Sequence, residues 1–473
     1  MPFARGDDFP GDINAGRYET YTRLRRIMRG DHALAWSARS ALRGWSDVDY
    51  GRDKRTKEVI HRLDAELSVV VNLPRVIERK FASLMIRGLT IRAGDGKGEA
   101  QKAIDAALEA SGGIPILHRC AFRMCGYGNA VVTVSRSADG VVKINARDPW
   151  TWFPEVDAAD GSHVERHVFA WRQSYEGREY LLQEIHEPGR IARLAHALVG
   201  GAGSEKLGVS VAWATLGFDE KVFPPEETTG VDEPLVAVWS NVTDEETAYG
   251  DSDMLGNEPL ANEITSRVSQ ISAILDKHAD PKMQGPQMAM RTNPENGDVR
   301  VDISGSRFLP RRGGDEAPYE YLTWDARLTE AYEHLKSAIR LFCLNMEMSP
   351  ALLGLEEGAG VESSNALRLR AINTVDAVEC KRMFGTRGVS EMARLALLLA
   401  KMPDDGVSVS YGDVLPLTRS DVVESTNLER TAGLLSRERA IRRLNPEMSD
   451  EEVGAEVERL HAEEAGILNP GIA

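Results

Sequence analysis

The residues best placed to do chemistry are two carboxylates two positions apart, Asp251 and Asp253 in Tyr249-Gly-Asp-Ser-Asp253. Such a pair can hold Mg²⁺ for a nuclease or hydrolase, the ion activating water and offsetting phosphate charge. The same pair precedes a strongly helical run, where carboxylates cap free N–H groups and complement the helix dipole. A helix start is the reading these residues favour; a Mg-dependent nuclease using Asp251 and Asp253 is the alternative. Two Gly-rich segments, Gly94-Asp-Gly96-Lys-Gly98 and Gly200-Gly-Ala-Gly-Ser-Glu-Lys206, fail the phosphate-loop pattern and read as surface loops. The ten histidines are dispersed, without His-x-x-x-His spacing. Cys120, Cys125, Cys343 and Cys380 form no Cys-x-x-Cys pair, so buried thiols are expected rather than a zinc site. Asp148-Pro-Trp150-Thr-Trp152-Phe-Pro154 could stack bases, but reads first as an aromatic turn packed on a sheet. No catalytic residue, metal or cofactor is assigned, and the chain is not expected to be an enzyme.

The elements that must position these residues fall into distinct blocks. Helical periodicity covers residues 18–30, 56–71 and 73–87, and two more helices span 98–125 around Ser111-Gly112-Gly113. Short strands follow at Ala130–Val134, Val141–Ile144, Val168–Trp171, Tyr180–Ile185, Val209–Trp213 and Leu235–Trp239. Residues 1–248 therefore read as α+β, with helices first and mostly antiparallel strands after. From 249 to 280 the apolar stripe Leu260, Ile264, Val268, Ile271 and Leu275 makes a narrow helix face that Asp280-Pro281 ends. A β-rich insert, 281–325, contains the alternating Val299-Arg-Val-Asp-Ile303 after an Asn296-Gly297 turn. Leu335, Ile339 and Phe342 then share one face of a returning helix, 326–348. The Pro- and Gly-punctuated stretch 349–363 precedes a long helix from Ser364, with a kink expected at Gly385 and Gly388. A late strand, Val407–Tyr411, closes the segment 364–416, and the tail 417–473 is helical, with Ser449-Asp-Glu-Glu452 as a capping box.

Composition narrows the partners. The 473 residues carry a net charge of −16, and the longest basic cluster is Arg23-Leu-Arg25-Arg26. Tight DNA binding draws on dense Lys/Arg patches, so only weak duplex contact is expected. No apolar run reaches the ~20 residues a membrane span needs. The N-terminus lacks an apolar signal core, so assembly in a cytoplasm without membrane contact is expected.

Three blocks resemble the portal proteins of tailed bacteriophages, specifically the siphovirus group similar to the Bacillus phage SPP-type portal. They are Tyr249-Gly-Asp-Ser-Asp253 with the helix to Pro281, the Met348-Ser-Pro-Ala-Leu-Leu-Gly to Ser363-Ser-Asn-Ala-Leu-Arg368 loop and helix start, and Leu434-Leu-Ser-Arg-Glu-Arg-Ala-Ile-Arg-Arg-Leu-Asn-Pro446. Asn72-Leu-Pro-Arg-Val76 and Cys125-Gly-Tyr-Gly-Asn-Ala130 fit more loosely. The resemblance implies a wing (1–248), stem helices (249–280 and 326–348), a clip (281–325), a tunnel loop (349–363), a kinked helix with a return strand (364–416) and a short crown (417–473). It implies a dodecameric ring at one capsid vertex. Such a ring works with major capsid and scaffold proteins, the large terminase, a head–tail connector or adaptor, and duplex DNA passing without sequence specificity. Under it, Leu352, Leu353, Leu355, Glu356, Glu357, Val361 and Glu362 would line the channel. Arg307, Arg311 and Arg312 would meet partners at the clip. The apolar stripes of both stem helices would pack within and between subunits. A monomeric head-morphogenesis adaptor is the remaining alternative.

Overall fold

Asn72 shows how local chemistry starts the core: its side chain accepts the Arg75 N–H (3.2 Å), capping a helix whose first turn holds Pro74. That helix buries Leu73, Ile77, Phe81 and Leu84 on one face, and the same face carries Glu78 inward. The computed structural model describes residues 3–30, 69–137, 139–200, 205–243, 246–279, 282–286, 290–292, 299–301, 308–311, 320–322, 328–355, 364–404, 406–415 and 419–468.

In chain order, β1 (Asp8–Phe9) and α1 (Asp12–Arg29) lead to α2 (Leu73–Met85), β2 (Thr90–Ala93), α3 (Glu99–Ala110) and α4 (Ile114–Tyr127). Then come β3 (Asn129–Arg136), β4 (Val142–Arg147), β5 (Trp152–Val156), β6 (Val164–Tyr175), β7 (Arg178–Glu187), β8 (Arg190–Val199), β9 (Glu205–Val211), β10 (Glu226–Thr228) and β11 (Val236–Ser240). Helix α5 (Glu258–Ala279) precedes five short strands, β12 (Lys282–Pro286), β13 (Met290–Thr292), β14 (Val299–Val301), β15 (Phe308–Arg311) and β16 (Glu320–Leu322). Helices α6 (Leu328–Asn345), α7 (Ser364–Arg370) and α8 (Ile372–Ala400), strand β17 (Val407–Ser410), and helices α9 (Arg419–Thr431), α10 (Arg437–Leu444) and α11 (Asp450–Leu468) complete the chain. The fold is α+β.

The largest sheet runs β1-β9-β8-β7-β6-β5, with β10 on β8, and its pairs are antiparallel. The β6–β7 hairpin closes through Glu176 (φ 49) and Gly177 (φ 75), the two positive angles a primed turn requires. Alternation along β7 sends Leu181 and Ile185 into one cluster with Phe3, Phe9 and Phe153, and Tyr180 and Leu182 into another with Trp213. A second sheet, β11-β3-β4, is covered by α8 and belongs to the main core, which also takes in α2, α4, α5 and α6. Strand β17 returns to pair with β2. Between α5 and α6 the strands group as β15-β12-β16 and β13-β14.

The structure departs from the sequence reading at several points. Strand β8 was not expected, because Ile191-Ala-Arg-Leu-Ala-His-Ala is rich in residues of weak strand preference; pairing with β7 on one side and β9 on the other overrides that preference. The first helix starts at Asp12 rather than 18. Residues 69–72 are not helical, and 56–68 lie outside the described residues. The long helix breaks at Ala371, not at Gly385 or Gly388, which sit inside unbroken α8. Those glycines provide room: a Cβ on Gly388 would lie 2.4 Å from the Val238 carbonyl oxygen, and one on Gly385 3.1 Å from Met124 Sδ. Helix α5 starts at Glu258, so Asp251 and Asp253 precede it by more than a turn and do not occupy its first turn.

Candidate functional site

Two of the sequence blocks meet in space. A Cβ on Gly128 would lie 2.2 Å from the Gly250 carbonyl oxygen, and one on Gly250 would lie 2.5 Å from the Asn241 nitrogen. Only glycines allow that approach, and Gly128 also holds a φ of 87° as it ends α4. The contact is locked by polar bonds. Asp253 N–H donates to Cys125 O (3.0 Å), Ser252 Oγ to Gly126 O (2.8 Å), Gly250 N–H to Asn129 Oδ1 (3.1 Å) and Asn241 N–H to Gly128 O (2.8 Å).

This knot turns Asp253 inward onto Lys381 of α8, whose ammonium donates to Asp253 Oδ1 and to Asn241 Oδ1 (3.3 Å). Side-chain exposure is 6% for Lys381 and 11% for Asp253, so this is a buried ion pair. Asn241 Nδ2 adds a bond to Asp253 Oδ1 (2.8 Å), and Lys381 also stands over the Phe81 ring at 5.1 Å. Burial, the largest single influence, pulls the Lys381 pKa down, but the charge and hydrogen bond of Asp253 together with Cys125 and Glu78 outweigh it, and the ammonium is held charged. Glu78 of α2 and Cys125 of α4 complete the cluster, both fully buried. Burial and then the Asp253 charge push the Glu78 carboxyl well above the ordinary carboxylate range, against a weaker pull from Lys381. Asp251, by contrast, is exposed. The two carboxylates singled out by their spacing thus face different environments. Asp253 instead groups with Glu78, Cys125 and Lys381, which sequence spacing did not single out because they come from three distant helices.

A second polar cluster lies on the large sheet. Glu184 accepts from His186 Nε2 (2.9 Å) and Arg193 Nε (3.3 Å), with Arg147 NH1 at 3.5 Å. Burial alone would raise its pKa; His186, Arg147 and Arg193 outweigh it and lower the carboxyl to about 2. His167 accepts the Trp152 indole N–H (3.2 Å) through Nδ1, and burial, helped by His186, lowers its pKa to about 3. Trp150 packs edge-on against Tyr127 and lies under the Arg25 guanidinium at 4.1 Å, which makes the aromatic segment a packing corner.

The stripe residues divide along their helices. Ile264, Ile271 and Phe342 are buried, Leu260, Val268, Leu335 and Ile339 half-buried, and Leu275 is exposed. Leu352 and Leu353 lie in a 3₁₀ turn, Pro350–Leu353, half-buried against the main core, and Gly354 (φ 69) lets the chain turn away to exposed Leu355. Glu356, Glu357, Val361 and Glu362 lie outside the described residues, as do Arg307 and Arg312. Arg311 ends β15, and only its backbone is described. A cleft of about 1250 Å³ opens between α6 and the α7–α8 junction, lined by Ile339, Arg340, Leu344, Pro350, Leu355 and Arg370 among others. Beside it Leu341, Leu344, Leu369 and Ile372 are 54%, 65%, 74% and 50% exposed.

No family model matches the chain, and no curated protein matches it. Among solved structures it is similar to a chain in the virion of a native gene transfer agent particle (13% identity, TM-score 0.42), covering 78% of this chain and 88% of that one. A chain in the neck of the native particle, computed with C12 symmetry, gives the same values. One in the neck of the empty particle, computed with C6 symmetry, gives 13% identity and a TM-score of 0.44, over 78% of this chain and 89% of that one. At these scores the likeness carries no argument about function. Among the described residues, no helix is long and apolar enough to cross a membrane.

Proposed function

We propose that this chain is a portal subunit: one copy in a ring that forms the channel at a capsid vertex, through which duplex DNA enters and leaves. The observation that carries the reading is the exposure of Leu341 and Leu344 on α6 and of Leu369 and Ile372 around the α7–α8 junction, which a single chain leaves in water on the helices flanking the cleft. Large apolar side chains exposed together on neighbouring turns are what an association surface offers. In a ring, the next copy covers it. The reading is supported by the sequence blocks that resemble portals and by the order helix, strand-rich insert, helix, Pro/Gly turn, long helix.

In this assignment α5 and α6 are stem helices and the strands between them the clip. The resemblance assigns residues 349–363 to the loop that narrows the channel and Leu352, Leu353, Leu355, Glu356, Glu357, Val361 and Glu362 to its lining; of these, Leu352 and Leu353 pack half-buried against the core of the single chain. The loop's glutamates and the overall charge of −16 keep DNA from adhering. The resemblance assigns Arg307, Arg311 and Arg312 to contacts with terminase or connector, and names capsid and scaffold proteins as further partners of the ring. The work is mechanical and requires no catalytic residue or cofactor of this chain.

Light scattering with negative-stain imaging of the same peak tests the proposal. Closed rings are expected from the native chain. Leu344→Asp and Leu369→Asp, on side chains already in water in the single chain, should fold and give monomers. A native chain that stays monomeric with its scaffold present, or both variants forming normal rings, would overturn it.

A further inference from the structure

The geometry points to a buried site for a divalent d¹⁰ cation of the zinc class, held by Glu78, Cys125 and Asp253. One ligand atom from each residue lies within 4.8 Å of those of the other two, and among the described residues this is the one such group. The second observation is independent of that spacing. Both Glu78 carboxyl oxygens and Asp253 Oδ2 are buried with no N–H or hydroxyl donor reaching them, so the one bond open to them is the acid proton held between Glu78 and Asp253, and Glu78 is 0% exposed. A single proton serves three buried oxygens poorly, and an ion that replaces it can serve all three.

The donor set fits. A thiolate with two carboxylates suits Zn²⁺, and excludes Mg²⁺ and Ca²⁺, which take oxygen ligands. Met85 Sδ, 3.4 Å from Cys125 Sγ, adds a second soft atom at the rim. Charge also closes. Binding transfers two protons to solvent, one from the Cys125 thiol and one from the Glu78 carboxyl. The dication, two carboxylates, thiolate and Lys381 ammonium then sum to zero. Lys381 keeps its bond to Asp253 Oδ1, which leaves Oδ2 for the ion. The site would staple α2, α4 and the 249–257 turn beside α8, and so fix where α5 leaves the α+β region.

Titrating full-length protein with Zn²⁺ by calorimetry, and with Cd²⁺ while following the ultraviolet thiolate-to-cadmium band, tests this. One equivalent per chain is expected, with a raised melting temperature. Removing a group that only hydrogen-bonds a metal ligand costs about 10- to 100-fold in metal affinity, so Glu78→Gln, which alters a ligand itself, should cost at least as much, and Cys125→Ala should abolish the band. Circular dichroism and melting show whether each variant folds, and Cys125→Ser is the smaller change should Cys125→Ala fail. No Cd²⁺ band in the native chain would overturn the site. So would a band that Glu78→Gln leaves unchanged, or one lost instead with Cys380→Ser at the half-buried Cys380.

Discussion

Lys381 carries its ammonium into a core where, among the described residues, Asp253 and Asn241 accept its hydrogen bonds. Breaking a buried ion pair from one side strands the other charge, at a cost of about 3–5 kcal/mol. Asp253→Ala should therefore lower the unfolding free energy by about that amount, whereas Asp251→Ala, at an exposed position, should change it by less than about 0.5 kcal/mol. Denaturant melts of the two variants check this; equal losses would contradict the buried pair. His167 sets a second residue-scale expectation. Its pKa is about 3 in the fold against 6.5 for an ordinary histidine, so on acidification the unfolded chain takes the proton first. Stability contributed there is full above pH 6.5 and is lost progressively as pH falls toward about 3. Glu184, lowered to about 2 from 4.5, adds a loss that starts only below its ordinary value. In thermal melts, His167→Asn, which keeps an acceptor for Trp152, should flatten the decline between pH 6.5 and ~5 and leave the steeper fall below it.

At the scale of elements, α8 shows packing overruling propensity. Glycine in a helix interior costs about 1 kcal/mol relative to alanine. Gly454 in α11 has open space around its Cβ direction, so Gly454→Ala should raise stability by roughly 0.5–1 kcal/mol. At Gly388 the added methyl would meet the Val238 carbonyl and Trp239, and an overpacked core loses about 1–3 kcal/mol, which exceeds the propensity gain. Gly388→Ala should thus destabilise while Gly454→Ala stabilises, and denaturant melts of both should show opposite signs. The reason α8 reads from sequence as a helix with a break is that glycine there has two meanings, flexibility or close approach. Only the neighbour, β11, decides between them. At the other end of the chain the local signal sufficed. Ser449 Oγ accepts the Glu452 N–H (3.3 Å) while Glu452 Oε2 accepts the Ser449 N–H (2.8 Å), a reciprocal cap whose partners are three residues apart.

At the scale of the molecule, the proposed ring has an electrostatic consequence. A channel that passes DNA should not hold it. The purified protein should retard duplex DNA little at physiological salt, where a tight binder would show a steep salt dependence. A gel-shift titration checks this, and strong, salt-sensitive binding would contradict the channel reading. In the proposed ring, the exposed leucines and isoleucine of α6, α7 and α8 would draw copies together and the acidic composition would keep the lumen from holding DNA.

The sequence by itself determined the elements whose partners are close along the chain: the Ser449 cap, the strands β3, β4, β6, β7, β9 and β11, the helix–insert–helix order and the Pro/Gly turn after Met348. It also showed that Tyr249-Gly-Asp-Ser-Asp253 mattered, but not how. Tertiary structure decided that Asp253 faces Lys381, 128 residues away, and that Glu78 and Cys125 converge on it. It also decided that Ile191–Ala197 is a strand, and that Gly128 and Gly250 are glycines because two backbones touch. Periodicity and capping are properties of neighbours in sequence. Burial of charge, steric contact between segments and sheet membership are properties of neighbours in space, which form only when the chain closes on itself.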